Sequence, residues 1–175
     1  LERRLEVLAA TDFLTGVYNL RTFYDLARHE LSRQARNGGE LSLVVMDIDR
    51  FKEINDSLGH AAGDDALRKF VAVVTENLRE HDIFARAGGD EFRLLLPATS
   101  PAGAHLVAER IRSAVNRITI RSPRGEIRLS ISVGIARCHP GDASLDEATM
   151  HADDALYQAK AEGRNRIHPL PMHPF

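Results

Sequence analysis

The sequence predicts an α+β fold in which helices surround a central antiparallel sheet, as in ferredoxin-like domains and polymerase palms. Short runs of apolar and β-branched residues alternate with longer stretches whose apolar residues recur every three or four positions. Reduced to the sheet and its main helices, the order along the chain is β-α-β-β-α-β, with extra helices at the front. A glycine turn between the two middle strands is typical of a β-hairpin.

The individual elements follow from these patterns. The segment Leu41-Ser-Leu-Val-Val-Met46 is short, β-rich and apolar, so it predicts a buried strand, and this strand ends abruptly in Asp47-Ile48-Asp49. Similar runs predict strands at residues 83–85, 92–96 and 129–135, with a turn at Pro123-Arg124-Gly125. The helical spacing of apolar residues predicts helices at residues 20–36, 64–79, 102–115 and 145–161.

The two ends of the chain are predicted to lie outside the core domain. Leu1, Leu5 and Leu8 recur at four-then-three spacing, which predicts either the start of a coiled-coil seam or an ordinary amphipathic helix. Because the chain begins without an initiator methionine, we expect residues 1–11 to end an upstream linker or signalling helix, and residues 12–168 to form one domain. The segment from His168 onward holds three prolines and is expected to lack regular structure, so residues 169–175 are assigned to an irregular tail.

The composition limits the classes of function. A hydrophobic content of 43% in 175 residues suffices for one core. The formal net charge of -2 and the pI near 6.5 argue against broad electrostatic binding to nucleic acid. Cys138 is the only cysteine, which excludes an internal disulfide and indicates a reducing compartment. No apolar run approaches the roughly 20 residues that span a bilayer. We therefore expect no membrane contact by this segment and a cytoplasmic location, with a membrane anchor further upstream left open.

Acidic residues are predicted to converge on the hairpin. The segment from Arg86 to Phe92 places Asp90 and Glu91 at a glycine turn that a ligand can approach closely, although such a hairpin is most often a solvated turn. In a β-α-β-β-α-β sheet the first strand lies beside this hairpin, so Asp47 is expected to join the two acids. A hard divalent cation would remove their repulsion, and Mg²⁺ shares its ligands between carboxylates, water and phosphates. The cluster therefore predicts a phosphoryl-transfer site.

Several ordered motifs resemble those of the GGDEF family, and the resemblance spans nearly the whole chain. The hairpin segment Gly88-Gly89-Asp90-Glu91-Phe92 is similar to the sequence for which the family is named. Asp12-Phe-Leu-Thr-Gly16 with Asn19 resembles its D-x-L-T-G-x-x-N opening, although Leu20 stands where a basic residue is common. The matching order continues through Asp47-Ile-Asp-Arg-Phe-Lys52-Glu-Ile-Asn55-Asp, Gly59-His60, Gly63-Asp64, Ser132-Val-Gly134, Ala155-Leu-Tyr-Gln-Ala-Lys160 and Gly163-Arg164-Asn165. The resemblance implies a diguanylate cyclase, which condenses two GTP molecules into cyclic di-GMP and two pyrophosphates.

The resemblance also implies how the site residues divide the chemistry. Asp47, the Ile48 carbonyl, Asp90 and Glu91 would hold two Mg²⁺ ions, with Mn²⁺ as an alternative, in each half of the active site. Asp90 or Glu91 would help to deprotonate the attacking 3′-hydroxyl, and Lys52 would join them as a catalytic residue that neutralises phosphate charge. The implied contacts with GTP are Asn55, His60, Asp64, Gly88, Gly89, Lys160 and Arg164.

Asp64 is the residue implied to distinguish GTP from ATP, together with Asn55. A carboxylate can accept hydrogen bonds from N1–H and the exocyclic amine of guanine, a donor pattern that adenine lacks. Without the resemblance, Asp64 is equally well interpreted as a helix N-cap, and a lysine such as Lys160 as a solvated surface charge. No Walker motif is present, so phosphate binding is expected to rely on the acids and the metal.

A second motif lies just before the hairpin. Arg79-Glu-His-Asp82 is followed by five residues and then Gly88, and it resembles the R-x-x-D product-inhibition site of the family. Arginine can fork onto phosphate or the guanine edge, and aspartate can accept hydrogen bonds from guanine. The alternative interpretation is a solvent-exposed pair at a helix end. The resemblance favours binding of cyclic di-GMP at this site, with Arg110 adding a partner surface.

Catalysis is expected to need a homodimer, because cyclic di-GMP has two equivalent phosphodiester bonds and each domain holds one GTP. Two other functions stay open. One is a catalytically inactive GGDEF module that senses GTP or cyclic di-GMP, and the intact acids argue against it. The other is a ferredoxin-like interaction module, which would not require Asp47, Lys52, Asp64 and Asp90 together.

Overall fold

The structure of the chain, a computed structural model, describes residues 2–170. These residues form six helices and eight strands. The helices are α1 (Glu2–Ala10), α2 (Leu20–Asn37), α3 (Phe51–Leu58), α4 (His60–Glu76), α5 (Pro101–Val115) and α6 (Asp146–Ala161). The strands are β1 (Tyr18–Asn19), β2 (Leu41–Ile48), β3 (Ile83–Gly88), β4 (Glu91–Pro97), β5 (Thr119–Ser122), β6 (Gly125–Arg128), β7 (Ile131–Arg137) and β8 (Ile167–His168).

The main sheet has six strands in the order β1-β3-β4-β2-β7-β8. Its four central strands are antiparallel to their central neighbours, whereas the short edge strands β1 and β8 pair in parallel. Strand β2, the first of the central four along the chain, lies beside the β3–β4 hairpin and separates it from β7. This order confirms the predicted α+β fold of the ferredoxin-like and palm-like type.

Strand β2 is buried along its whole length because helices cover both faces of the sheet. Val44 and Met46 pack into a core formed with α3, α4 and α5. Leu43 and Val45, which point to the opposite face, pack into a second core with α2 and α6. Burial on both faces explains the unbroken apolar run in β2. The strand is therefore a rigid support for the aspartate at its end.

Some elements differ from the predicted ones. Helix α4 begins at His60 and ends at Glu76, so the predicted range 64–79 is wrong at both ends. The first turn of α4 contains only small or polar residues, which gave no apolar periodicity. Helix α3 was not predicted, because it has eight residues and buries only Ile54 and Leu58. The turn at Pro123-Arg124-Gly125 joins β5 to β6, and this two-stranded sheet was not predicted either.

The N-terminal residues form α1, whose Leu5 is 59% exposed. Leu1 and the side chain of Leu8 lie outside the described part of the structure, so the leucine seam stays a prediction. At the other end, His168 belongs to β8, and its assignment to an irregular segment was wrong. The predicted tail falls mostly on residues 171–175, which lie outside the described residues. Between residues 2 and 170, no helix has the length and hydropathy needed to cross a bilayer.

Candidate active site

The end of β2 brings together the acids that the sequence predicted. Asp47 pairs in register with Glu91 at the start of β4, and it is only 6% exposed. The next residue, Ile48, donates its backbone N–H to the carbonyl oxygen of Asp90 at 3.3 Å. The hairpin turn therefore lies directly against the end of β2, with Asp90 half-buried and Glu91 exposed. The structure thus brings the backbone positions of these three acids together at the same end of the sheet.

The acids influence one another electrostatically. The pKa of the Asp90 carboxyl is raised, first by burial and then by the negative charge of Asp47. Burial also raises the pKa of Glu91, and Asp47 and Asp90 add to the effect. Lys160 acts in the opposite direction on both groups without cancelling the shift. Negative charge is thus in excess at this point, and a bound cation would be favoured there.

Lys160 provides the positive charge closest to the site. It lies on α6 and its ammonium group forms an ion pair with Asp47 Oδ2. Its distance from the sheet depends on Gly134 of β7, because a Cβ atom at Gly134 would lie 2.0 Å from the carbonyl oxygen of Ala152 in α6. The absence of a side chain therefore lets α6 approach β7 closely and places Lys160 against Asp47. A ligand at Asp47 would compete with Lys160 for the same oxygen.

The predicted metal ligands are oxygen donors at the end of β2 and in the hairpin turn. Across residues 2–170, no three His, Cys, Asp or Glu side chains form a group that could hold a metal ion. Asp47, Asp90 and Glu91 are therefore not assembled as a three-carboxylate cage. A smaller set consists of two aspartates and the Ile48 carbonyl, all of them oxygen donors in a region of excess negative charge. Mg²⁺ typically takes one or two protein carboxylates and completes its shell with water and phosphate, so this smaller set fits a hard divalent cation.

The residues implied to bind guanine lie on two adjacent helices. Asn55 in α3 packs directly on Gly63 of α4, since a Cβ atom there would lie 1.8 Å from Asn55 Oδ1. Asp64 follows in the second turn of α4. The N-cap of α4 is Gly59, so the alternative interpretation of Asp64 as an N-cap is wrong. His60, the first residue of α4, is exposed. The structure thus brings the Asn55 amide against Gly63, the residue that precedes Asp64.

The remaining residues that the sequence predicts to bind GTP lie around the same end of the sheet. Lys52 is exposed in the first turn of α3, four residues beyond the end of β2. Gly88 and Gly89 form the exposed hairpin turn, and both have positive φ, at 155° and 48°. Arg164 lies in the loop between α6 and β8, where its own φ is 65°. These residues belong to three different parts of the chain: α3, the hairpin turn and the loop after α6.

Asp49 is a buried residue whose role was not predicted. Its two carboxylate oxygens accept hydrogen bonds from the hydroxyls of Ser130 and Ser132, each at 2.6 Å, and from the backbone N–H of Asn165 at 3.0 Å. It therefore holds the loop that carries Arg164 against the ends of β2 and β7. The sequence offered one signal, the Asp47-Ile48-Asp49 pair of acids, but the three partners are more than 80 residues away along the chain.

Arg86 is a second residue whose role was not predicted. Its guanidinium donates to the Gly89 carbonyl oxygen at 2.7 and 2.9 Å and to both carboxylate oxygens of Asp12 at 3.3 Å. Burial acts to raise the pKa of Asp12, but hydrogen bonds from Thr15 and the Arg86 charge outweigh it, so the pKa is lowered. Arg86 therefore joins the turn that follows α1 to the turn that carries Asp90.

The predicted inhibition site lies on a different surface. Arg79 and Asp82 line a cavity of about 480 Å³ near the turn at Gly16. Asp82 Oδ2 accepts a hydrogen bond from the Arg79 backbone N–H at 2.7 Å, and burial raises the pKa of its carboxyl. Arg110 instead donates to the Asn77 carbonyl oxygen at 3.3 Å and lines a neighbouring cavity of about 490 Å³. Arg79 and Asp82 thus line the same cavity, whereas Arg110 lines the neighbouring one.

A protein-family model described as "Diguanylate cyclase, GGDEF domain" matches residues 9–166. The chain belongs to the GGDEF family. The matched range contains every predicted site residue of this GGDEF domain, from Asp47 to Arg164.

Named relatives and solved structures agree with this assignment. The GGDEF domain is 40% identical over 167 residues to the diguanylate cyclase DgcM of Escherichia coli K12, which covers 95% of the chain and 40% of DgcM. It is 39% identical over 159 residues to the diguanylate cyclase DgcP of Pseudomonas aeruginosa, covering 91% of the chain and 24% of DgcP. The chain therefore spans less than half the length of these curated relatives.

Two solved structures illustrate the shared fold. The GGDEF domain of DgcB from Caulobacter crescentus, solved with c-di-GMP, superposes with a TM-score of 0.86 at 33% identity, covering 91% of this chain and 92% of that one. The diguanylate cyclase SiaD of Pseudomonas aeruginosa, solved with its activator SiaC, gives a TM-score of 0.87 at 34% identity, covering 95% of this chain and 64% of that one. The palm-like α+β architecture is therefore shared with both proteins.

Proposed function

We propose that this GGDEF domain is a diguanylate cyclase that condenses two GTP molecules into cyclic di-GMP and two pyrophosphates. The observation that carries the proposal is the pairing of the β2 end with the hairpin turn, which places Asp47 beside Asp90 and Glu91. The diguanylate cyclases among its relatives support the same activity. Because its substrate would be GTP, we place the domain in the cytoplasm.

The proposed mechanism assigns a task to each group around the acids. Asp47, the Ile48 carbonyl and Asp90 would hold Mg²⁺ or Mn²⁺, two ions per half-site. When bound, the ions lower the pKa of the 3′-hydroxyl and stabilise charge on the α-phosphoryl oxygens. Asp90 or Glu91 accepts the proton of that hydroxyl, and Lys160 balances the charge of Asp47 and of the incoming phosphate. The hydroxyl then attacks the α-phosphate of the partner nucleotide, and pyrophosphate leaves.

Base selection is assigned to the pair formed by Asn55 and Asp64. Asp64 would accept hydrogen bonds from guanine, whereas adenine would leave its carboxylate without donors, a loss on the order of 1–3 kcal/mol. We therefore expect strong preference for GTP over ATP. Incubating the protein with GTP, ATP or both in Mg²⁺ buffer and separating the products by chromatography measures this preference. Comparable yields of cyclic di-AMP or of a mixed product would contradict the guanine assignment.

The same assay separates the proposed enzyme from the alternatives. A catalytically inactive sensor would bind GTP or cyclic di-GMP in a calorimetric titration and form no product. An interaction module would neither bind these nucleotides nor form cyclic di-GMP. Formation of cyclic di-GMP with release of pyrophosphate, dependent on the divalent metal, is the result that the proposal requires.

Catalysis by a homodimer predicts that activity per mole rises with protein concentration. Each 3′-hydroxyl must meet the α-phosphate of the other nucleotide in line, so two domains must face each other with two-fold symmetry. Fusing a strong parallel coiled coil before Leu1 should raise activity at low concentration, because it raises the effective concentration of the partner. A monomeric helix of equal length is the control. Constant specific activity from a sample that stays monomeric on dilution would refute the dimeric mechanism.

Inhibition by the product predicts that a substitution of Arg79 weakens the inhibition by cyclic di-GMP. Cyclic di-GMP bound at Arg79 and Asp82, and bridged to Arg110 of a neighbouring domain, would hold the two active sites apart. Arg79→Ala should raise the cyclic di-GMP concentration needed for half-inhibition by roughly tenfold or more, because it removes a charged phosphate contact. Arg68→Ala, an exposed arginine in the middle of α4, is the matched control. Equal inhibition of both variants and the unaltered protein would exclude this site.

A further inference from the structure

Arg93 places a positive charge beside the acids at the end of β2. It lies on β4 two residues after Glu91, so both side chains lie on the same face of the sheet. In the neighbouring strand β2, Arg93 is in register with Val45, and Glu91 is in register with Asp47. Arg93, Asp47 and Glu91 line one cavity of about 180 Å³, together with Asp153 of α6. The cavity thus combines one arginine with three acidic residues.

The Arg93 side chain is held in place by a residue of α2. Its guanidinium carbon lies 5.6 Å from the centre of the Tyr24 ring, which is a cation–π contact, and the guanidinium donates a hydrogen bond to the Tyr24 hydroxyl. Tyr24 in turn packs edge-on against Phe23, which is fully buried, with the ring centres 6.0 Å apart. The ring and the hydroxyl are both neutral, so these contacts fix the position of the Arg93 charge without neutralising it.

The charge of Arg93 acts on the carboxylates around the cavity. Burial raises the pKa of Asp153, the Arg93 charge opposes this rise, and the charge of Asp47 adds to it. Burial and the neighbouring acids raise the pKa of Glu91, and the Arg93 charge is one of those that oppose them. A positive charge that favours the ionised form of these carboxylates also repels a cation bound beside them and attracts an anion.

We propose that Arg93 makes the acid site (Asp47, Asp90 and Glu91) selective for a metal–nucleotide complex over the free divalent cation. Free Mg²⁺ or Mn²⁺ is positive, so the fixed guanidinium lowers its affinity for the acids. The complex of the same cation with GTP carries a net negative charge, so the guanidinium raises its affinity for the site. Arg93 thus favours occupancy of the site by metal and nucleotide together. The inference rests on the metal and the GTP of the proposed function, and the binding of both is measurable without turnover.

Two titrations of the whole chain test the sign of this effect. In the first, free Mn²⁺ is added to the protein, and the unbound Mn²⁺ is measured by electron paramagnetic resonance. In the second, a non-hydrolysable GTP analogue with an equimolar amount of Mn²⁺ is added, and the heat of binding is measured by calorimetry. Arg93→Gln should raise the affinity for free Mn²⁺ by roughly threefold to tenfold and lower the affinity for the Mn²⁺–nucleotide complex by roughly threefold.

Two further variants control for the size of the side chain and for net charge. Arg93→Lys retains the positive charge, so both affinities should stay within about twofold of those of the unaltered chain. Arg137→Gln removes a positive charge from the same sheet, but Arg137 is in register with Ser42, five residues along β2 from Asp47. At roughly 16 Å along the strand its charge is screened, so both affinities should be unchanged. Neither arginine belongs to an apolar cluster, so the variants are expected to fold.

Opposite changes in the two affinities distinguish a role of the charge from a structural role, because a distorted site would bind both ligands more weakly. The inference is overturned if Arg93→Gln changes both affinities in the same direction or changes neither. It is also overturned if Arg93→Lys or Arg137→Gln behaves like Arg93→Gln, or if the unaltered chain binds neither ligand. A chain that shows the opposite changes but forms no cyclic di-GMP would refute the proposed function alone.

Discussion

Asp90→Ala and Asp47→Ala are each expected to lower cyclic di-GMP formation by roughly a thousandfold or more, about 4 kcal/mol of transition-state stabilisation. Both carboxylates lie where negative charge is in excess and where the proposed metal would be held. Neither belongs to an apolar cluster, so the fold should persist. Lys160, which pairs with Asp47, is partly exposed and would be solvated after the substitution. Product formation by purified variants, measured in Mg²⁺ buffer, checks this expectation.

A matched control removes a carboxylate elsewhere. Asp25→Ala breaks an exposed ion pair with Arg28 on α2 and should leave turnover unchanged. Circular dichroism and a thermal melt of each variant separate lost chemistry from lost structure. Normal turnover in either Asp47→Ala or Asp90→Ala would rule out the proposed metal site.

Gly134→Ala is expected to destabilise the domain and to impair catalysis together. The added Cβ atom would lie 2.0 Å from the Ala152 carbonyl oxygen and 2.6 Å from the Leu156 nitrogen, and both are backbone atoms of α6. The helix would have to move away from β7, at a cost of roughly 1–3 kcal/mol or more. That movement would also withdraw Lys160 from Asp47. We therefore expect a Tm lower by roughly 4–10 °C and a reduced turnover in the protein that remains folded.

Gly103→Ala provides the comparison for this prediction. Gly103 lies in the first turn of α5, and a Cβ atom there would meet only side-chain atoms, the nearest at 3.1 Å. Alanine also restricts the unfolded chain more than glycine does, so the change in stability should stay within about 1 kcal/mol. Equal melting temperatures for Gly134→Ala and Gly103→Ala would show that the α6–β7 contact does not limit stability.

The fold and the acid pair could be predicted because both follow from local patterns. The apolar run of β2 and the glycine hairpin determined the sheet, and the sheet order placed Asp47 beside Asp90. Helix α3 escaped prediction because eight residues with two buried side chains carry little periodicity. The roles of Asp49 and Arg86 could not be predicted, because their partners are brought close only by the tertiary fold. Their hydrogen bonds depend on left-handed loop conformations and on the register of distant strands.

Arg86 is hydrogen-bonded both to the hairpin turn and to the turn after α1, so the position of the hairpin turn is linked to the start of the domain. Its guanidinium group donates hydrogen bonds to the Gly89 carbonyl oxygen and to the Asp12 carboxylate at the same time. Asp12 follows α1 by only two residues, so a twist or pull on that helix is transmitted to Asp12 before it reaches any core residue. Such a displacement must either break the bonds to Arg86 or carry the turn with it. A displacement of Asp12 that keeps these hydrogen bonds would therefore shift the turn that carries Asp90.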